Sequence, residues 1–155
     1  MEHPVEELYS LFVPLHQARL IVPRSCVAEV VRFSSPLDSA DGSPDWFRGL
    51  IDWNNMQVPV ISIEDLCGME STKPGGRTRI AIFNGLSEVL NGRVFGMLTE
   101  GFPQLVRVNR EVMELHDEQD WPDGGPIICQ IRMINEYPLI PDIEAIETIV
   151  QEQVA

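Results

Sequence analysis

The 155-residue sequence predicts a mainly β fold of the barrel or sandwich class, and three observations lead there. Twelve prolines and eleven glycines are spread along the chain from Pro4 to Pro141, which leaves few places for a long helix. The apolar runs between them are short, β-branched and bounded by turn residues, as strands are. About nine or ten such runs follow one another without the β–α alternation that a parallel sheet needs.

In order, residues 8–15 and 19–22 read as a first hairpin, and Val27-Ala28-Glu29-Val30-Val31-Arg32-Phe33 as a third strand. Residues 47–54 and 57–63 flank Asn54-Asn55, where asparagine supplies the left-handed backbone of a tight hairpin. In the second of these strands Pro59, lacking an N–H, belongs at a strand start or edge. Strands at 79–83 and 94–99 are separated by Asn84-Gly85 and Asn91-Gly92, two turn signals. Residues 127–133 and 137–140 close the β part. The two longest windows free of proline and glycine leave comfortable room for helices. In 104–121, Leu105-Val106-Arg107-Val108 alternates like a strand before Asn109-Arg110-Glu111-Val112-Met113-Glu114 turns helical in composition. The other gives a helix: Pro141 precedes it, Asp142 caps it, and Ile143, Ile146, Ile149/Val150 and Val154 recur at helical spacing. Residues 36–44 and 70–76 read as loops.

The charge is −13, with 24 acidic residues against 11 basic ones, of which Lys73 is the only lysine. Such a balance argues against nucleic acid, whose binding needs Lys/Arg to neutralise phosphates, and against anionic lipid. Residues 101–155 carry 11 acids and 3 arginines, so the excess is concentrated there, as a solvated surface or as a face for a basic partner. No run of about 18 apolar residues could span a membrane, and the start, Met1 to Glu7, lacks the features of a signal peptide. Three well-separated cysteines, Cys26, Cys67 and Cys129, fit reduced thiols and a cytoplasmic setting.

Catalytic chemistry is thinly represented. His3, His16 and His116 have no second histidine or cysteine at metal-ligand spacing, and His116-Asp117-Glu118 reads as a solvated acidic turn. Cys26 and Cys67 sit in apolar company, as small hydrophobes do. Gly75-Gly76-Arg77-Thr78 lacks phosphate-loop spacing, and Lys73, Arg77 and Arg79 form the only basic cluster. Glu64-Asp65, placed on a strand, would point apart and make a poor acid/base pair.

The most informative segments are Val27-Ala28-Glu29-Val30-Val31, Pro44-Asp45-Trp46-Phe47-Arg48-Gly49-Leu50-Ile51, Val58-Pro59-Val60-Ile61-Ser62-Ile63-Glu64-Asp65-Leu66-Cys67-Gly68 and Val94-Phe95-Gly96-Met97-Leu98-Thr99-Glu100. In order, they resemble the CheW family of chemotaxis coupling proteins, whose pattern runs V-x-E-[IV], P-x-F-x-x-G, I-x-L-R-G, [VI]-P-[VI]-x-[DS]-L and G-[LIM]-x-[VT]-[DE]. Trp46, Trp53 and the ending Ile140-Pro141-Asp142-Ile143-Glu144-Ala145 look closest to the ChpC-like members, which serve type IV pili and twitching motility.

The resemblance implies two interlocked five-stranded SH3-like barrels and a short C-terminal helix. It implies a single domain over 5–150, with a first barrel mainly in 24–84, a second mainly in 8–22 plus 85–141, and a helix over 142–152. It further implies a non-catalytic, cofactor-free cytoplasmic adaptor, recruited to membrane-associated receptor arrays without membrane insertion. Its partners would be the cytoplasmic tip of a methyl-accepting receptor and the regulatory domain of a CheA-type histidine kinase. Candidate partner-contacting residues are Val27, Glu29, Trp46, Phe47, Arg48, Asn54, Asn55, Met97 and Leu98. The apolar ones among them have core packing as their alternative role. Glu29 matches the family's glutamate, which pairs with the arginine of I-x-L-R-G. Here Asn54-Asn55 stands in place of that Arg-Gly, leaving Arg32 or Arg48 as substitutes. Two other functions remain: a kinase-binding module that does not engage receptors, and a small cysteine-dependent enzyme.

Overall fold

The computed structural model describes residues 8–33, 42–69, 74–86, 94–109, 111, 113–116, 120–133 and 135–154. Most of the expected loop 36–44, part of loop 70–76, the Asn91-Gly92 turn, His3, Lys73 and Asp117-Glu118 lie outside these residues.

Eleven strands form two sheets among the described residues. In chain order they are β1 (Leu8–Pro14), β2 (Arg19–Pro23), β3 (Val27–Arg32), β4 (Phe47–Trp53), β5 (Met56–Ile61), β6 (Arg79–Asn84), β7 (Val94–Thr99), β8 (Gln104–Val108), β9 (Met113–His116), β10 (Ile127–Met133) and β11 (Leu139–Pro141). Two α-helices, α1 (Ile63–Leu66) and α2 (Ile143–Val154), complete the architecture. The five-stranded sheet has the order β3-β6-β7-β5-β4, and the six-stranded one β8-β1-β2-β11-β10-β9.

Strand β6 shows why the two sheets pack as they do. Its run Ile80-Ala81-Ile82-Phe83 is buried throughout, so both faces of the strand are apolar. Ile80 and Ile82 face a cluster with Ile51, Val58, Val60 and Val94, all from the five-stranded sheet. Ala81 and Phe83 face the opposite way, into a larger core shared with Val13, Leu20 and Val22 of the six-stranded sheet and with Ile143, Ile146 and Val150 of α2. Phe83 and its register partner Phe95 stack there, with centroids 5.3 Å apart. A third cluster, Ile21, Val108, Ile131 and Met133, belongs to the six-stranded sheet. Each fully buried Ile or Phe contributes about 1.5–3 kcal/mol, so the shared core holds the two sheets and α2 as one unit.

The hairpin at 54–55 and the C-terminal helix form as expected. Asn54 and Asn55 have φ of 49° and 62°, the left-handed pair that a two-residue hairpin turn requires. Asp142 Oδ1 accepts from the Ala145 N–H at 3.0 Å and caps α2.

Several expectations need correction. The stretch beginning at Asn109 is helical in composition, yet Met113–His116 is a strand, because pairing with β10 outweighs local propensity. The first barrel, expected mainly in 24–84, gains a strand from beyond that range. β7 joins it between β6 and β5, where Gly96 lets Ile80 and Val60 close over the strand: a Cβ there would lie 2.9 Å from Ile80 Cγ2. The other sheet has six strands, not five. The strand expected to run to Ile63 stops at Ile61, since Ser62 Oγ accepts from the Asp65 N–H at 3.3 Å and starts α1. Pro59 lies on an inner strand, but the β5–β7 ladder begins only at Val60, so its missing N–H leaves that ladder intact.

Candidate functional site

The glutamate expected to meet an arginine meets an indole. Trp53 Nε1 donates to Glu29 Oε2 at 2.8 Å. Glu29 sits on β3 and Trp53 on β4, the two outer strands of the five-stranded order, so this bond joins the free edges of the sheet. Sequence geometry brings this about. β3 carries an irregularity between Val27 and Glu29, which re-aims the residues after it, and Trp53 is the last residue before the Asn54-Asn55 turn. The Trp53 ring also packs on the Ile51–Val58–Val60 cluster, which fixes its N–H.

Arg48, the other candidate partner, is committed elsewhere. Its guanidinium pairs with Asp65, and both side chains are largely buried. Asp65 stands on α1 because Ser62 caps that helix, so the Ser62 turn decides where Arg48 is held. Next to it, Glu64 is 8% exposed and accepts from the backbone N–H groups of His16 and Gln17 at 3.0 and 3.2 Å. These bonds clasp the β1–β2 turn of one sheet to the helix that follows β5 of the other. Glu64 and Asp65 are structural anchors with separate partners, and no acid/base pair results.

The nine candidate residues do not form one patch. Glu29, Asn54 and Asn55 are exposed around the Trp53 bridge and hairpin tip. Val27 and Trp46 are half-buried against the shared core, and Trp46 makes an edge contact with Phe47 at 6.1 Å. Arg48 and Leu98 line a small cleft with Ser62, Glu64, Thr99 and Glu100. Met97 is fully buried and is a core residue; its partner-contact reading does not hold on this surface. The residues that sequence reasoning missed are Trp53 as the Glu29 partner and Asp65 as the Arg48 partner. Ser62-Ile63-Glu64-Asp65 carries a helix-start pattern that would have pointed to the second.

The thiols are all shifted towards their protonated form. Burial pushes Cys26 and Cys129 above the usual thiol range. Burial and then the neighbouring Glu64 carboxylate push Cys67 up to about 11. Among the described residues no three His, Cys, Asp or Glu side chains gather as a metal site would require.

Two sheets sharing a core, with a helix on the junction and the V-x-E strand next to the Asn-Asn hairpin, accord with one family model. The CheW-like domain model matches residues 10–150. The chain belongs to the CheW-like domain family. Its fold is that of the crystal structure of the scaffolding protein TtCheW from Thermoanaerobacter tengcongensis, at a TM-score of 0.73. That likeness covers 92% of this chain and 89% of the other at 16% identity, so it establishes the fold: mainly β, with two SH3-like barrels and a C-terminal helix. No curated protein matches the chain. Among the described residues, no helix of this CheW-like chain is long and apolar enough to cross a membrane.

Proposed function

We propose that this CheW-like chain is a non-catalytic signalling adaptor that couples the cytoplasmic tips of chemoreceptors to the regulatory domain of a CheA-type histidine kinase. The match of the CheW-like domain over residues 10–150 carries this reading. The scaffolding role named for the TtCheW relative supports it, and burial pushes all three thiol pKa values up, which weighs against a cysteine-dependent enzyme. The surface around Glu29, Trp53 and the hairpin tip is the receptor-facing element, with Trp53 doing for Glu29 what the arginine does in the family pattern. Val27, Trp46 and Phe47, and separately Arg48 and Leu98 at their cleft, supply further partner contacts. The adaptor works in the cytoplasm at receptor arrays, in a pathway controlling type IV pili, a refinement that rests on the likeness of Trp46, Trp53 and residues 140–145 to that subgroup.

The test is reconstitution: the kinase and receptor from the same organism, with and without this protein, read by kinase autophosphorylation. Receptor control of the kinase should require the protein, and control that is equally strong without it refutes the proposal. A second reading, kinase binding without receptor engagement, is favoured by Asn54-Asn55 in place of Arg-Gly. It predicts a bound kinase that receptors do not regulate.

A further inference from the structure

Arg32 ends β3 and Arg79 begins β6, and the antiparallel register sets them directly opposite each other. Side chains so paired share a face, with Cβ atoms about 4.5–5.5 Å apart, and like charges there are destabilising. Arg77 is exposed on the turn that leads into β6. In a chain of charge −13 this clustering stands out, because three arginines elsewhere are matched with acids: Arg19 with Glu136, Arg48 with Asp65 and Arg132 with Glu114. Among the described residues no carboxylate lies within ion-pair distance of Arg32, Arg77 or Arg79.

Arg79 is nevertheless held in place. It donates to the carbonyls of Gly76 and Thr78 at 3.1 and 2.9 Å, and its guanidinium lies over the Phe102 ring, 5.0 Å from the centroid. Its buried Nε has no hydrogen-bond partner among the described residues. Phe102 itself is 64% exposed. Glu100, just past the end of β7, takes its hydrogen bond from Thr78 Oγ1 at 3.4 Å.

We propose that this arginine–phenylalanine patch docks an acidic peptide segment of a partner protein. The segment's carboxylates meet Arg32, Arg77 and Arg79, and one of its apolar side chains covers Phe102. Charge complementarity identifies the occupant, because an anionic segment relieves the repulsion that the free fold tolerates. A second copy of the chain is opposed by the shared negative charge, and a bare phosphate would leave Phe102 uncovered. The inference stands on the patch alone and does not depend on the adaptor reading.

The test is an NMR titration of the isotope-labelled protein with three probes. These are a short glutamate-rich peptide containing one phenylalanine, the same peptide with glutamine for glutamate, and inorganic phosphate. The acidic peptide should shift the signals of Arg32, Arg77, Arg79 and Phe102, with an affinity that falls as salt is added. Arg32→Ser with Arg79→Ser should weaken it about tenfold or more. Arg32→Ser alone should leave the melting temperature unchanged or higher, since it removes a like-charge pair, and this separates a binding role from a structural one. Equal binding of the glutamine peptide, reproduction of the shifts by phosphate alone, or a destabilised Arg32→Ser that still binds would each overturn the proposal.

Discussion

The Trp53–Glu29 bond offers a quantitative test of how the first barrel is closed. Trp53→Phe keeps an aromatic ring against Ile51, Val58 and Val60 but removes the N–H that reaches Glu29. A hydrogen bond to a charged acceptor is worth about 1.5–3 kcal/mol, but Glu29 is exposed and water replaces the lost donor. The expected loss is therefore about 0.5–1.5 kcal/mol. Trp53→Ala also loses packing. Full burial of a tryptophan makes that change cost about 3–5 kcal/mol, and the half-buried ring here sets it at about 2–3 kcal/mol. Urea unfolding followed by far-UV circular dichroism measures both, and each 1 kcal/mol lowers the melting temperature by about 2–4 °C in a chain of this size. A cycle with Glu29→Ala isolates the bond. A coupling of about 0.5–1.5 kcal/mol is expected, and one below about 0.3 kcal/mol refutes the idea that this bond closes the sheet.

Two further outcomes follow from the packing and the thiols. Gly96→Ala should destabilise by about 1–3 kcal/mol, because its Cβ would press on Ile80 Cγ2 at 2.9 Å and Val60 Cγ2 at 3.3 Å; equilibrium denaturation measures this. Cys67 should alkylate far more slowly than a free thiol below its raised pKa of about 11, and Glu64→Gln, by removing the adjacent negative charge, should lower that pKa and speed the reaction. With a folded pKa above the unfolded value of 9.0, Cys67 favours the folded state below pH 9, and that contribution fades as pH rises towards 11. Rates of alkylation against pH, with the other two cysteines replaced, read the shift directly.

Much of the fold was legible because it is written in local patterns. The run Ile80-Ala81-Ile82-Phe83 is apolar on both faces because the strand lies between two cores, and continuous apolar runs mark such strands. Asn54-Asn55 announced a tight turn because few other residues adopt positive φ easily, and both do. The misses were long-range. Met113–His116 is a strand only because β10 lies beside it, and β7 belongs to the first sheet only because β5 and β6 flank it. Met97 and Leu98 sit side by side in one motif, and alternation alone could not say which would be buried. The family motif located Glu29 but not its partner, since Trp53 reaches it only when the two edges of the sheet come together.

The central claim, that this CheW-like chain is an adaptor with two protein partners, is tested most directly by calorimetric titration with each partner alone. The account predicts saturable binding to both the regulatory domain of the cognate histidine kinase and the receptor's cytoplasmic tip, with weaker receptor binding for Glu29→Arg. Absence of binding to either partner at roughly tens of micromolar would contradict it.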